Sequence, residues 1–325
     1  MNRNIKTAEC ITPMHPDKIC DRISDAVLDE CLRTDPDSRV AVETMGGHGI
    51  IFVTGEVTTN AELDIPAIVK SVYDRDVNVY VNVVKQSNFI AQGVDTGGAG
   101  DQGIMVGYAS DENPDMVPQE LYLARNLCKE IFKIYPYDGK TQITLTDDNV
   151  TAVVASFQNA PTKELNRIVN GWLRRQPHVS ENVQIFCNPA GDWDVGGFDA
   201  DAGVTGRKLV VDNYGPAIPI GGGAFSGKDP TKVDRSAAYM ARKIAVDTLQ
   251  TLPKKATKNE VFVYLAYAIG HDQPVQATVI VNGEEKPVVG YDLSPAGIIE
   301  HLQLKNPVYS VTAEWGHMGT GNTWG

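Results

Sequence analysis

The segments RVAVETM (39–45), GIIFVTGEVTT (49–59), IPAIVKSVY (65–73) and NVYVNVVKQ (78–86) decide the fold, because they read in order as strand, strand, short helix and strand. The same order returns as TQITLTD, TAVVASF, KELNRIVNGWLRR and VQIFCNP between residues 141 and 189. It returns again as VFVYLAY, QATVIVNG, SPAGIIEHL and VYSVTAEW between residues 261 and 315. One structural unit therefore occurs three times along the chain.

A longer amphipathic segment precedes each repeat, at 16–32, 118–134 and 230–249, and each begins with proline, a residue favoured at the first helical position. We therefore predict an α+β protein of three similar domains with pseudo-threefold symmetry. The Gly-rich stretches at 93–103 and 189–203 place the domains at 1–92, 93–194 and 195–325, with the N-terminal segment free to pack on another domain. A single large α/β domain is the alternative.

Composition narrows the classes of function. A net charge of −12 argues against nucleic acid as a partner, and no apolar run is long enough to argue for a membrane. The polar first nine residues lack the core of a signal peptide. The 5 cysteines are an odd number without a C-x-x-C pair, which fits neither a disulfide framework nor a zinc site. These features predict a cytoplasmic protein.

The stretch GGGAFSGKDPTKVDR (221–235) has the G-x-x-x-x-G-K spacing of a P-loop, but Asp229 stands where the P-loop has Ser or Thr. A P-loop also follows its strand directly, whereas YGPAIPI separates this stretch from KLVVDN, which we interpret as a strand. The stretch is therefore not a P-loop, and a phosphate-binding loop of another kind is one interpretation. A glycine-rich surface loop with solvated lysines is the alternative.

The same stretch contains a predicted helix start, with Asp229 as the cap and Pro230 at the first helical position. Lys228 and Lys232 flank that start, where free amides and positive charge favour phosphate. Asp234 lies one turn into the helix, where a carboxylate could hold magnesium bridged to the same phosphates.

A second helix start lies in MHPDK, which contains His15, Asp17 and Lys18. A histidine donor, a carboxylate for a hard cation and a lysine suit polyphosphate chemistry. The motif on its own is equally an ordinary capping sequence.

Isolated charges elsewhere carry little weight alone. Lys140, Arg207 and Lys208 stand at predicted strand starts, and Glu43 and Glu56 lie in or beside predicted strands. Each alone is better explained as a solvated charge than as a site residue.

Taken together, MHPDKICDRISDAVLDE, GAGDQGIMVGYASDE, DAGVTGRKLVVDNYG and GGGAFSGKDPTKVDRSAAY resemble the signature segments of the S-adenosylmethionine synthetase (methionine adenosyltransferase) family, in register from about residue 9 to residue 319. The resemblance implies three pseudo-symmetric α+β domains. It implies that the methionine sulfur attacks C5′ of ATP and that the displaced triphosphate is hydrolysed to phosphate and diphosphate. It also implies dimers with shared active sites, often paired into tetramers.

The resemblance further implies roles for individual residues. By this resemblance, the residues that contact ATP are His15, Asp138, Gly139, Lys140, Asp192, Trp193, Asp201, Arg207, Lys208, Ala224 and Lys228. Four of these, His15, Lys140, Arg207 and Lys208, are implied to be catalytic. Methionine contacts fall on Glu56, Gln86, Asp201 and Lys232. Asp17 and Asp234 are implied to be ligands of two Mg²⁺ ions, and Glu43 is implied to lie at a K⁺ site. A thioether is a neutral nucleophile that needs no base, so catalysis rests on orientation and on stabilising the leaving group.

Two departures from the family pattern leave alternatives open. The segment between Gln92 and Gly100 is shortened where the family has a mobile gate, and Phe89 stands where an acidic residue pairs with the methionine ammonium. Either methionine binds more weakly, or Glu56 or Asp101 takes that role. An ATP- or tripolyphosphate-using enzyme with another acceptor is one alternative function. A non-catalytic nucleotide-binding homologue is another, disfavoured because no phosphate or metal residue is lost.

Overall fold

The computed structural model describes residues 4–85, 98–255 and 257–325. The strands are β1 (Ile5–Ile11), β2 (Arg39–Gly47), β3 (Ile50–Thr58), β4 (Asn78–Val84), β5 (Gly103–Ser110), β6 (Gly139–Thr146), β7 (Asn149–Phe157), β8 (Val179–Cys187), β9 (Gly203–Val204), β10 (Glu260–Tyr267), β11 (Gln276–Val281) and β12 (Glu284–Pro287). The helices are α1 (Pro16–Thr34), α2 (Ile65–Val72), α3 (Gln119–Phe132), α4 (Thr162–Leu173), α5 (Leu209–Asp212), α6 (Val233–Gln250), α7 (Pro295–Leu302) and α8 (Tyr309–Thr312), and a 3₁₀ turn spans Gly197–Asp199.

The described strands form three four-stranded sheets, ordered β4-β3-β2-β9, β1-β6-β7-β8 and β12-β11-β10-β5. We call these the N-terminal, central and C-terminal sheets. In the N-terminal and central sheets, β9 and β1 respectively pair antiparallel with the neighbouring strand. The next pair of strands in each sheet is also antiparallel, and the last pair is parallel. The C-terminal sheet differs only in its last pair, which is antiparallel. The predicted α+β class with three similar units is confirmed.

Each sheet contains one strand from a different third of the chain. The strand β1 joins the central sheet, β5 joins the C-terminal sheet, and β9 joins the N-terminal sheet. The predicted domain boundaries stay predictions. Each of these three strands lies within one predicted domain but pairs with the sheet of another. Because of this cyclic exchange, the loops that follow β1 and β9 are brought next to one another.

The three long helices cover the sheets. The helix α1 packs on β2, α3 packs on β1 and β6, and α6 packs on β5 and β10. Ile19 of α1 and Met240 of α6 belong to one shared hydrophobic core, whereas Leu127 of α3 belongs to a separate core of the central sheet. Burying each such side chain is worth about 1.5–3 kcal/mol relative to exposure.

Two predicted strands are helical. The run VYSVTAEW contains α8, because the Asp29 carboxylate accepts the amides of Tyr309 (2.9 Å) and Ser310 (2.9 Å) and so caps a helical turn. The edge position in that sheet is taken by β12 instead. The run KLVVDN contains α5, also a helical turn, so that no strand leads towards the glycine stretch.

The predicted start of the third long helix is wrong by three residues. It begins at Val233, with Lys232 at the N-cap position. Asp229 is fully buried, and its carboxylate accepts the amides of Val40 (2.7 Å) and Thr231 (3.0 Å) and an ion pair from Lys232. These contacts hold residues 229–232 in a separate turn against β2.

Candidate active site

His15 occupies the N-cap of α1, where its Nδ1 accepts the Asp17 amide at 3.2 Å. Burial, with Lys208 nearby, lowers the pKa of His15 to about 4. The ring is therefore neutral at pH 7. Because Nδ1 accepts a hydrogen bond, the proton resides on Nε2, which is left as a donor.

Asp17, in the first turn of α1, is held by the chain around β9. Its Oδ1 accepts the Val204 amide at 2.9 Å and lies 3.3 Å from Nε of Arg207, while its Oδ2 accepts Nζ of Lys208 at 2.6 Å. Burial acts to raise the pKa of Asp17, but the Lys208 and Val204 hydrogen bonds outweigh it and hold the pKa below its usual value. The carboxylate is ionised.

Asp234, in the first turn of α6, has a similar arrangement. Its Oδ2 accepts Nζ of Lys228 at 2.6 Å. The glycine stretch passes directly over this carboxylate, since a Cβ at Gly223 would lie 2.4 Å from the Asp234 Cγ. Only glycine permits that approach.

The two basic loops touch each other. A Cβ at Gly206 would lie 2.7 Å from the Cβ of Ala224, so the loop that bears Arg207 and Lys208 packs on the loop that bears Lys228. The arrangement thus brings the amino ends of α1 and α6 into one region.

Four further predicted residues adjoin this region. Lys140 and Asp201 are both close enough to His15 to affect its pKa. Oδ2 of Asp138 accepts the Gly197 amide at 2.9 Å, and burial raises the pKa of Asp138. Gly139 begins β6, and its carbonyl accepts the Thr12 amide at 3.0 Å.

Asp192 and Trp193 lie further out on the central unit. Oδ1 of Asp192 accepts the Thr162 amide at 2.9 Å and so supports the start of α4. The hydrogen bonds from Thr162 lower the pKa of Asp192. Both residues line a pocket of about 310 Å³. The Trp193 ring approaches Gly196, where a Cβ would lie 2.7 Å from it, next to the amide that binds Asp138. The predicted nucleotide contacts of this pair stay a prediction.

The remaining predicted residues lie on or beyond the N-terminal sheet. Glu43 is exposed on β2, and Glu56 is half-buried on β3 opposite Ala41, which forms an isolated bridge with Lys228. Neither glutamate side chain has a hydrogen bond or ion pair to another described residue. Gln86, Phe89 and residues 92–97 of the predicted short gate lie outside the described residues.

A cavity of about 820 Å³ is lined by residues that include Arg39, Pro230 and Ile299, but not His15, Asp17 or Lys228. The charged region is therefore not part of this cavity.

Carboxylates in the region are spaced apart. Within residues 4–85, 98–255 and 257–325, no three His, Cys, Asp or Glu side chains form a metal-binding cluster. Asp17 and Asp234 offer single hard oxygen ligands beside lysines. That donor set fits Mg²⁺, which is commonly held by one or two carboxylates together with substrate phosphates.

Sequence reasoning missed the buried acidic face of α1. Asp21, Asp25 and Asp29 are buried, and Asp21 pairs with Lys18 while Asp25 pairs with Arg235. Their signal is visible in retrospect, because aspartate recurs every four residues from Asp17 onwards and so marks one helical face.

The described structure is a three-unit α+β protein whose charged region suits a polyanionic substrate and a hard cation. Three family models match the chain: the S-adenosylmethionine synthetase N-terminal domain over residues 3–88, the central domain over 96–193 and the C-terminal domain over 195–325. The chain therefore belongs to the S-adenosylmethionine synthetase family, and its enzyme class is methionine adenosyltransferase.

Individual relatives agree along nearly the whole chain. It is 39% identical over 379 aligned residues to an S-adenosylmethionine synthase of Desulforudis audaxviator (strain MP104C), covering 99% of this chain and 95% of that protein. It is 39% identical over 373 residues to an S-adenosylmethionine synthase of Clostridium tetani (strain Massachusetts / E88), covering 98% and 94% respectively. Both alignments are longer than the 325 residues of this chain, so the relatives carry additional residues within the matched region.

Proposed function

We propose that this chain catalyses attack of the L-methionine sulfur on C5′ of ATP and then hydrolyses the released triphosphate. The new S–C bond forms as the C5′–O bond breaks, and the bonding electron pair leaves with the triphosphate oxygen. Water then divides the triphosphate into phosphate and diphosphate. The observation that carries this proposal is the contact between two loops, one presenting Lys208 beside Asp17 and the other presenting Lys228 beside Asp234.

His15 is suited to act on the leaving group. A neutral imidazole with its proton on Nε2 can donate a hydrogen bond to the triphosphate oxygen as negative charge develops there. An N-cap position fixes the ring before substrate binds, so little reorganisation is needed. The transfer step needs no base, because the sulfur nucleophile carries no proton.

The lysines and aspartates would exchange partners when substrate binds. Lys208 and Lys228 now face carboxylates, and both are partly exposed. We propose that they turn to the triphosphate together with Lys140 and Arg207, leaving Asp17 and Asp234 to hold Mg²⁺. Magnesium, when bound, neutralises charge on the triphosphate, and K⁺ at Glu43 would add to the same field.

Recognition of the nucleoside and of methionine is proposed on the remaining residues. Asp138, Gly139, Asp192, Trp193 and Ala224 would line the nucleotide. Glu56, Asp201 and Lys232 would contact methionine, with Gln86 outside the described residues.

A second copy of the chain is the partner we propose. The outer face of the N-terminal sheet exposes Met45 (49%), Phe52 (43%) and Tyr80 (51%) in one row across β2, β3 and β4. The Phe52 and Tyr80 rings are stacked at 4.9 Å. Contiguous exposed apolar side chains of this kind favour a protein interface. Glu43, two residues before Met45 on the same face of β2, would lie within that interface.

The expected location is the cytoplasm. All five cysteines are free and buried, which fits a reducing compartment. Among the described helices, none combines the length and the apolarity that crossing a membrane requires.

The decisive test incubates purified protein with ATP, Mg²⁺, K⁺ and L-methionine and follows S-adenosylmethionine, phosphate and diphosphate by chromatography, with a control lacking methionine. We expect the three products in equal amounts, dependent on methionine. Phosphate release without S-adenosylmethionine would show instead that the acceptor differs. Absence of any ATP turnover would support a non-catalytic homologue.

A further inference from the structure

Three buried aspartates on one face of α1 each bind a backbone amide of the basic loops. Asp17 accepts the Val204 amide (2.9 Å), Asp21 the Gly206 amide (2.8 Å) and Asp25 the Gly227 amide (2.8 Å). The spacing of four residues places these carboxylates in a row along the helix. This row spans both loops, since the first two amides lie just before Arg207 and the third lies just before Lys228.

Asp25 also pairs with a buried arginine, Arg235. It is fully buried, as is Arg235, whose Nη1 and Nη2 donate to its two oxygens at 2.8 and 2.7 Å. The same Nη1 also donates to the Lys228 carbonyl at 2.8 Å. Asp25 and Arg235 therefore hold the two peptide groups that flank the Gly227–Lys228 peptide bond.

The backbone at Gly227 lies directly against β2. Gly227 has φ +81°, and a Cβ there would lie 1.8 Å from the Val42 carbonyl oxygen. Glycine adopts this left-handed conformation without strain, and because it lacks a Cβ its backbone can lie directly against the strand. Its carbonyl accepts the Val42 amide at 2.9 Å, and its amide is taken by Asp25.

We propose that Asp25 and Arg235 are positioning residues for the triphosphate. They set the direction in which Lys228 leaves the glycine loop, and they fix that loop on the same helix whose first turn presents Asp17. This inference rests on the proposed function, in which Lys228 binds the triphosphate. It adds a role for two buried residues that contact no substrate themselves.

The test uses Asp25→Asn and Arg235→Lys in the full chain, with inorganic tripolyphosphate as the probe. The lysine variant keeps the positive charge next to Asp25 but loses the two-pronged contact and the bond to the Lys228 carbonyl. Calorimetry gives the Kd of tripolyphosphate with Mg²⁺, steady-state kinetics give KM for ATP and kcat separately, and circular dichroism gives the thermal midpoint.

A matched control lies one turn further along the same helix. Asp29 is also buried and also accepts two backbone amides, but those belong to α8, away from both basic loops. Asp29→Asn should therefore lower the thermal midpoint while changing the Kd of tripolyphosphate by less than about twofold, because a purely structural loss reduces the amount of folded enzyme and not its affinity.

For Asp25→Asn and Arg235→Lys we expect the Kd of tripolyphosphate and the KM for ATP to rise about tenfold or more, a change of about 1.4 kcal/mol. Should Asp25→Asn fail to fold, Arg235→Lys alone decides. Wild-type affinity in a folded variant would overturn the positioning role and leave the proposed function intact. A wild-type protein that binds no tripolyphosphate would overturn the proposed phosphate site, and this inference with it.

Discussion

The amino ends of α1, α3 and α6 are equivalent positions in the three repeats. They differ in whether a lysine from a neighbouring loop binds the carboxylate in the first turn. Each helix has a carboxylate in its first turn: Asp17, Glu120 and Asp234. A loop lysine binds the first and the third at 2.6 Å. Glu120 has no such partner among the described residues, and its Oε2 is buried without a hydrogen bond there.

This difference shows that an acidic first turn, which all three helices share, does not by itself create a charged site. Burial raises the pKa of Glu120, whereas the Lys208 hydrogen bond keeps the pKa of Asp17 low. The charged region arises where a basic loop arrives from another third of the chain. We therefore expect changes at the α1 and α6 starts to affect chemistry, and the same kind of change at the α3 start to affect stability alone.

The largest effect is expected for His15→Asn at the α1 start. Loss of one preorganised donor to the leaving oxygen should lower kcat for adenosyl transfer about 10²–10³-fold. The Kd of ATP, measured by calorimetry, should stay within about threefold, because the contact strengthens only as charge develops.

The matched control for this change is His48→Asn. His48 lies in the turn between β2 and β3 with φ 52°, which asparagine tolerates. Its kcat should equal that of the wild type. Equal kcat in the His15 variant would refute the assigned role.

At the α6 start, Asp234→Asn should raise the Mg²⁺ concentration needed for half-maximal activity by about tenfold or more, since even indirect partners of a metal site commonly cost 10–100-fold. The measurement is a Mg²⁺ titration of S-adenosylmethionine formation. Asp247→Asn, on the same helix and paired with Lys243, supplies the control. Identical titrations for wild type and Asp234→Asn would remove this residue from the metal site.

Stability at the α1 start should depend on pH through His15. Its folded pKa of about 4 lies below the usual 6.5, so the unfolded chain binds more protons between those values and stability falls as pH decreases through that window. Between pH 7 and pH 5 the wild type should lose about 2 kcal/mol relative to His15→Asn in urea unfolding. Other groups cancel in that difference. A constant difference between the two proteins would contradict the assigned burial.

The smallest effect is expected for Glu120→Gln at the α3 start. The folded pKa of Glu120 is raised, so its contribution to stability is lost as pH rises above its usual value. Removing the charge should leave kcat unchanged and stabilise the protein by about 1 kcal/mol at pH 8, with less gain at pH 5. Denaturant unfolding at both values checks this. A large fall in kcat would mean that all three helix starts serve the reaction.

The sequence by itself predicted the local elements and the chemistry of the motifs. Alternation in RVAVETM and helical spacing after Pro16 are properties of neighbouring residues, so they fix β2 and α1 without reference to the rest of the chain. The same holds for the threefold repeat apart from its last predicted strand, which contains the helical turn α8 instead, and the family resemblance rested on contiguous segments.

Only the tertiary structure decided which elements meet. The exchange of β1, β5 and β9 among the sheets, the capping of α8 by Asp29, and the pairing of Asp25 with Arg235 join residues far apart in the chain. Periodicities of 2 and 3.6 describe which face of an element is apolar, but they do not specify the partner of a strand edge or of a buried carboxylate. The partner is set by the packing of three units at once, and that packing turns a row of aspartates in α1 into the support for the basic loops.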